Sequence, residues 1–573
     1  MNRRNFLQYS AITSLMTTIG LFPANDNPVK PMPEFNSFSK LVESLIKLND
    51  KRVPQLLEKQ DKNPQSKTFG GLCDNFQIFN AGSTAGLITV LTCSFTQQKS
   101  EYYLDSNLAD AMALAAQYLL KIQHPDGTID LLATNFHSTP DTGFVAEPLC
   151  ACFKLLSEIQ FEKKSQILNP IAAFLKNAGE AFIAGGVHTP NHRWVVSMAL
   201  ARINTLLPDE RFVKRMNEWL SEGIDIDADG QYEEKSTYIY TPLTNRCLVT
   251  ISKLAGKPGI LDTVRKNLEM TAYYIHPNGE IVTEGSGRQD QFQVGFMENY
   301  YLPLRYLAIR DKNPLFAAMV KLIEETAAEK LGGYLVYFLE DDYYFNDCPA
   351  PSGIPEKYIK EFPKSKIVRI RNKNTDATLL AGNPTFFTLS KGKAVLASVR
   401  LASAFFGRGQ FKSSTIEKSG KNFVMNWEFT WGYFQPFQAG QKPNYDIPFD
   451  EDRKRRKSSE RQTLKATVSI AQNEGVFDLL FDLQGVENVP LAVEFAFRKG
   501  GLIENAERIN DVADSWLLSM GSAKIRVDND EITFGPGKAE HRWTAIRGGL
   551  PKPEADCIYI TGFTPFKHKI SIG

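Results

Sequence analysis

A chain of 573 residues is longer than one ordinary core supports, so two or three large domains are expected. With 43% hydrophobic and 23% charged residues it has the balance of a folded globular protein, which excludes a disordered chain. The formal net charge of +1 excludes the strong basic excess of a nucleic-acid or general membrane-binding surface; an anionic ligand would need a local basic pocket.

The first 25 residues read as a targeting segment, with Arg3 and Arg4 in a short polar start and the mostly apolar stretch Ala11 to Phe22 behind them. Asn2-Arg3-Arg4-Asn5-Phe6-Leu7-Gln8 resembles the twin-arginine signal, which implies export of an already folded chain to the periplasm or beyond. No other stretch reaches the roughly 18 unbroken apolar residues of a membrane span. The mature protein is therefore expected to be exported and soluble. The seven cysteines (73, 93, 150, 152, 247, 348 and 557) form no CxxC pair and read as small buried hydrophobes rather than a zinc or disulfide framework.

From about residue 38 to 335 apolar residues recur at helical spacing, as in Leu108 to Gln123, Ile171 to Ile183, Trp194 to Leu207 and Phe316 to Leu331. The helices alternate with similar turns, Gln123-His124-Pro125-Asp126-Gly127, Ile226-Asp227-Ala228-Asp229-Gly230 and Ile275-His276-Pro277-Asn278-Gly279. Asp-Gly and Asn-Gly tolerate the left-handed backbone that ends a helix. Gly127, Gly186, Gly230 and Gly279 recur at intervals that suit one helical hairpin per unit. Such hairpins close into an (α/α) toroid or continue as an open solenoid; periodicity alone allows both.

After Asp341-Asp342 the period changes, and residues from about 345 to 573 read as many short strands, an antiparallel β-sandwich. Thr385 to Ser390 turns at Lys391-Gly392-Lys393 into Ala394 to Val399 as a hairpin. Further strands are expected at Thr467 to Ile470, Gly475 to Leu483, Leu491 to Phe497 and Cys557 to Thr561. The basic run Arg453 to Lys457 reads as a solvated loop. Trp427, Trp431 and Tyr433 are core aromatics or, at an exposed rim, flat rings for stacking on sugars, with Trp427 the candidate contact.

The densest group of reactive side chains lies mid-toroid. Thr189-Pro190-Asn191-His192-Arg193-Trp194 opens a helix, and Asp229-Gly230-Gln231-Tyr232-Glu233-Glu234 leads to Tyr238, Tyr240, Asn245 and Arg246. Pro190 suits the first helical position, which puts Asn191 and His192 in the first turn. Asn135 and His137, in the polar segment before Asp141 and Thr142, could bind sugar hydroxyls; Asp141 and Thr142 equally suit helix capping. Arg288, from the Gly-flanked loop Glu284 to Gln291, could grip a carboxylate in two-pronged fashion.

At these residues the chain resembles the heparinase II/III-like polysaccharide lyases and their alginate-lyase relatives, which join an (α/α) toroid to a C-terminal β-sandwich. The matching motifs are Asn191-His192 at a helix start and Asp229-Gly230 leading to Glu233 or Glu234 and then to Tyr238 or Tyr240. The resemblance implies β-elimination on a uronate-containing poly- or oligosaccharide, with no metal and no cofactor. Asn191, His192 and an arginine such as Arg246 would neutralise the substrate carboxylate, and a tyrosine would carry the proton, with Tyr238 slightly favoured. Arg193, Trp194, Glu234, Arg288, Asn135, His137 and Trp427 would contact substrate. The chondroitin and hyaluronate branch has a histidine close ahead of its tyrosine, and here none lies between His192 and His276. Two other readings stay open: a glycoside hydrolase drawing a carboxylate pair from Glu233, Glu234, Glu284 and Asp141, and a glycan-binding protein without catalysis.

Overall fold

The computed structural model describes residues 38–573; the expected export segment lies outside them. No helix among the described residues is long and apolar enough to cross a membrane. The chain divides into two units, one of residues up to 272 together with 279–354, the other of 273–278 together with 355–573.

In the first unit, helices α1 (Phe38–Asp50) and α2 (Val53–Lys59) precede five helical hairpins. The first members are α3 (Ala81–Phe95), α5 (Thr139–Ser157), α7 (Pro190–Leu206), α9 (Tyr240–Leu254) and α11 (Tyr301–Asp311), each packed on the next. Their partners are α4 (Ser106–Ile122), α6 (Lys164–Ala184), α8 (Glu210–Ser221), α10 (Leu261–Thr271) and α12 (Pro314–Ala327). The two sets differ in sequence for a physical reason. In α3 nearly every residue is small or apolar and buried, as a helix enclosed on all sides requires, whereas α8 buries only Phe212 and Met216. A last helix, α13 (Leu335–Leu339), packs on α1, α3 and α5 and closes the ring, so the unit is an (α/α) toroid and not an open solenoid.

Closure is also electrostatic. Beyond α13, the Glu340 carbonyl accepts from Lys154 Nζ at 2.6 Å and its carboxylate pairs with Arg202 at 2.7 Å. Asp341 pairs with Lys253, so α5, α7 and α9 are all tied to the final turn.

The turn glycines pack against neighbouring backbone. Gly127 has φ +84°, and a Cβ there would sit 2.0 Å from the Asn177 carbonyl oxygen. Gly230 likewise faces the Lys266 carbonyl at 3.0 Å, Gly279 faces the Thr326 side chain at 2.8 Å, and Gly186 has open space around it; the fourth member of the series is Gly70, whose Cβ would meet the Leu114 carbonyl at 2.3 Å. Side-chain amides support these turns: buried Gln60 donates from Nε2 to Gly70 O at 3.0 Å, half-buried Gln123 from Nε2 to Gly127 O at 2.8 Å and buried Asn267 from Nδ2 to Gly230 O at 2.7 Å.

The second unit holds an eight-stranded and a ten-stranded sheet. Strand pairing is antiparallel except between Ser515–Leu517 and Asp556–Phe563, which run parallel. The expected hairpin is present as Phe387–Lys391 and Ala394–Ser403. The core between the faces is rich in Phe, Leu, Ile and Val, among them Leu389, Phe481, Val493 and Ile560. The β region begins later than expected: 345 falls in a 3-10 turn (Asp342–Phe345), and the first strand is Lys357–Phe362, because the apolar period is lost well before strand pairing starts.

Candidate active site

Asn191 and His192 stand in the first turn of α7, where Pro190 opens the helix and the His192 amide closes back on the Thr189 carbonyl at 3.1 Å. This start is anchored from behind. Arg193 donates to Glu222 at 3.0 Å and to Asp225 at 2.9 Å, and Trp194, fully buried, donates from Nε1 to Asp225 at 3.3 Å. Asp225 Oδ2 also accepts from the Glu233 amide at 3.2 Å, which aligns the segment carrying Glu234 with the start of α7. Arg193 and Trp194 are therefore braces of the scaffold, not the substrate contacts expected of them.

Glu234 is the centre of the cluster. Its Oε2 accepts from Asn191 Nδ2 at 2.5 Å and its Oε1 from Arg288 at 2.8 Å. Burial pushes the carboxyl above its ordinary pKa, opposed by the Asn191 hydrogen bond and the Arg288 charge. The Asn191 donor end is thus spent on Glu234, which corrects its expected role as a donor to a substrate carboxylate; its Oδ1 is buried with no partner among the described residues.

Arg288 is held by its loop. Asp290 Oδ1 accepts from Ser286 Oγ and Oδ2 from the Tyr238 amide at 3.0 Å, while a Cβ at Gly287 would come within 3.0 Å of the Glu234 carbonyl. The loop lies so close to the Glu234 backbone because Gly287 has no side chain. The guanidinium carbon lies 5.0 Å from the Tyr240 ring centroid, and Gln289 Nε2 donates to Tyr240 Oη at 2.6 Å. Burial raises the Tyr240 pKa, with the Gln289 hydrogen bond and the Arg288 charge pulling the other way.

His192 lies edge-on to His188, ring centroids 4.7 Å apart, and faces Phe144 at 6.2 Å. Its Nδ1 is buried with no hydrogen-bond partner among the described residues, and burial, with His188 and Arg288 adding to it, lowers its pKa to about 3. The imidazole is neutral at ordinary pH. Asn135 joins this side of the cluster by donating to Asp141 at 2.8 Å; burial raises the Asp141 pKa. The helix cap is Ser138, not Asp141 or Thr142.

Four expected residues lie apart. Tyr238 donates to Glu298 at 3.1 Å, its ring is packed so tightly on Gly295 that a Cβ there would meet it at 2.4 Å, and burial raises its pKa steeply. Arg246 pairs with buried Glu147 and lines a separate cavity of about 410 Å³ with Arg202, Tyr337 and Glu340, near the C-terminal ends of α5, α7 and α9. The helix is too long for one side chain to serve both ends: Arg246 is six residues, about 9 Å, beyond Tyr240. His137 turns to Asp126 at 2.6 Å and stacks on His124 at 3.8 Å. Trp427 belongs to the second unit, stacked on Phe429 at 5.9 Å.

The cluster is therefore Asn191, His192, Glu234, Tyr240 and Arg288, joined by two residues not assigned to it from sequence, Gln289 as partner of the tyrosine and His188 as partner of the histidine. The adjacency of Gln289 to Arg288 and of His188 to Thr189-Pro190 was the available signal. Among the described residues no group of three or more His, Cys, Asp or Glu side chains could hold a metal ion.

No protein-family profile matches the chain, and no curated protein aligns with it by sequence. Solved structures do match its fold. Heparinase III superposes with a TM-score of 0.53 at 12% identity, covering 98% of this chain and 89% of that one. A chondroitin AC lyase from Streptomyces coelicolor A3, in complex with chondroitin sulphate, gives 0.56 at 13%, covering 99% and 82%. A Paenibacillus xanthan lyase gives 0.56 at 10%; all of this chain is covered, but only 59% of that one. At such identities the likeness establishes the toroid-plus-sandwich fold.

Proposed function

We propose that the protein is a polysaccharide lyase that cleaves a uronate-containing glycan by β-elimination without a metal ion. The observation that carries this reading is a neutral tyrosine, held by Gln289 and capped by Arg288, in the same cluster as a neutral histidine whose buried Nδ1 has no partner among the described residues. The resemblance of the Asn191-His192 and Asp229-Gly230 motifs to the heparinase-like lyases, and the lyases among the structural neighbours, support the same class.

Elimination removes the C5 proton beside the uronate carboxylate and breaks the C4–O bond; the electron pair forms the C4–C5 double bond and the departing oxygen takes a proton. Arg288, with Glu234 fixing one edge of its guanidinium, offers its remaining N–H groups to the carboxylate on which the enolate charge develops. A carboxylate about 4 Å from His192 supplies roughly 4 kcal/mol at an effective dielectric of about 20. That returns the imidazole towards the ordinary histidine range and lets it accept the C5 proton as substrate binds. Tyr240, neutral because burial raises its pKa, donates the proton to the leaving oxygen.

The test is a panel of uronate polymers monitored in the ultraviolet, where the conjugated C4–C5 double bond absorbs. Product absorbance is expected with at least one polymer. New reducing ends without absorbance would mean hydrolysis, the reading favoured by the raised carboxyl pKa values of Asp141 and Glu234; that reading is weakened because both oxygens of Glu234 are already engaged. We also propose export to the periplasm or beyond, on the strength of Arg3-Arg4 and the apolar stretch after them. Cell fractionation of the wild type and an Arg3→Lys, Arg4→Lys variant tests it, with retention of the variant in the cytoplasm expected.

A further inference from the structure

In the second unit the strand Asn422–Phe434 pairs along its length with residues 458–471 of Ser458–Asn473, but the other neighbours of both strands stop short. Glu417–Ser419 covers only residues 422–424 of the first, and Val476–Gly485 reaches only as far as Leu464 of the second. Thr430–Phe434 with Ser458–Thr463 is therefore a two-stranded overhang, an element that is marginal on its own and gains from anything that covers it.

One face of this ribbon carries alternating aromatics. Trp427, Phe429 and Trp431 form a near-parallel stack, centroids 5.9 and 5.5 Å apart and interplanar angles 18° and 14°, and Tyr433 continues the row at 62% exposure. At about 3.3 Å per residue the row spans about 20 Å, the length of several pyranose rings. Cations lie along it. Arg408 and Arg453 sit 4.3 and 4.9 Å from the Trp431 centroid and share Asp450, Arg453 at 2.5 Å and Arg408 more loosely at 3.9 Å, with 40% of the Arg408 side chain exposed. Arg456 stacks at 3.9 Å on Phe437 and has no carboxylate partner among the described residues.

We propose that this ribbon is a second, non-catalytic binding surface for an acidic polysaccharide: the exposed Tyr433 ring and the open edges of the half-buried row behind it take the C–H faces of the sugars, and Arg408 and Arg456 take carboxylate or sulfate groups. Flat rings alone would suit any glycan. The exposed Arg408 guanidinium and the half-buried one of Arg456 beside them favour an anionic chain, which matches the ligand class proposed for the cluster on the first unit and would raise the local concentration of polymer.

Affinity electrophoresis of the full chain carrying Tyr240→Phe, through gels containing alginate, hyaluronan or heparin with dextran as neutral control, tests this without turnover. Retardation is expected in at least one acidic gel and not in dextran, declining with salt. Adding Tyr433→Ala and Arg456→Gln is expected to weaken it about tenfold. No retardation in any acidic gel, equal retardation in dextran, or undiminished binding by the combined variant each overturns the proposal. If circular dichroism shows that Tyr433→Ala disturbs the ribbon, Arg408→Gln with Arg456→Gln leaves the rings in place and is expected to give the same loss; undiminished binding there also overturns it. Absence of product absorbance with wild type is a separate result, which bears on the lyase reading and not on the ribbon.

Discussion

The Arg288 guanidinium lies over the Tyr240 ring at 5.0 Å and binds Glu234 at 2.8 Å, so one arginine joins the proton-carrying tyrosine to the carboxylate that holds Asn191. Tyr240 is the first residue of α9, Asn191 the second of α7, and Arg288 comes from a loop far along the chain. The proposed chemistry depends on that junction.

Tyr240→Phe is expected to lower turnover by about two or more orders of magnitude, the scale of losing a general acid, with the melting temperature little changed. Tyr238→Phe should leave turnover within a few-fold. It leaves Glu298 without its donor and should cost about 1 kcal/mol of stability. A dead Tyr238→Phe enzyme beside an active Tyr240→Phe enzyme would reverse the assignment.

Glu234→Gln keeps the shape of the clamp but removes the charge that fixes Arg288. A charge-assisted bond is worth about 1.5–3 kcal/mol, so kcat is expected to fall about 10- to 100-fold with product absorbance still detectable. Complete loss without any double-bond product, from this variant alone, would favour a hydrolytic carboxylate.

His192 has a folded pKa of about 3 against about 6.5 in the unfolded chain. Because the folded value is depressed, the unfolded state takes up the proton first as pH falls. Stability from this residue is complete above about pH 6.5 and declines towards pH 3. His192→Gln should therefore flatten the dependence of the melting temperature on pH between about 6.5 and 4 relative to wild type. Parallel curves would show that the imidazole is not buried as described.

Arg246→Met is expected to destabilise the protein by about 3–5 kcal/mol, because Glu147 is left charged and buried, while turnover per folded molecule stays near wild type. Denaturant unfolding and kcat on the same preparation separate the two effects. A large kcat loss with unchanged stability would restore Arg246 to the site.

Gly127→Ala and Gly186→Ala should differ sharply. The first forces a Cβ against the Asn177 carbonyl at positive φ and should destabilise by more than about 1 kcal/mol; the second, in open space, should be close to neutral. Thermal melting of both variants is the measurement.

The two-part architecture was legible because the apolar period is a local property: 3.6 along α4 and α12, 2 along the strands after 355, with Pro190 and the Asp-Gly and Asn-Gly turns marking ends. Asn191 and His192 were legible for the same reason, since a helix start fixes where its first-turn side chains stand. Ring closure was not, because it rests on α13 and on Lys154, Arg202 and Lys253 meeting Glu340 and Asp341 across long sequence separations. Nor was the choice of tyrosine. Tyr238 and Tyr240 are two residues apart and chemically identical in sequence, yet one is packed on Gly295 with its hydroxyl on Glu298 and the other meets Gln289 and Arg288. Arg246 was drawn to the site by its nearness in sequence, but along a helix six residues is a translation of about 9 Å, enough to move it to a different cavity and a different carboxylate. Sequence by itself determined the elements and the residue types at their ends; only the tertiary structure decided which side chains share a carboxylate, because hydrogen-bond partners are selected by distances of a few ångströms between segments that local pattern does not relate.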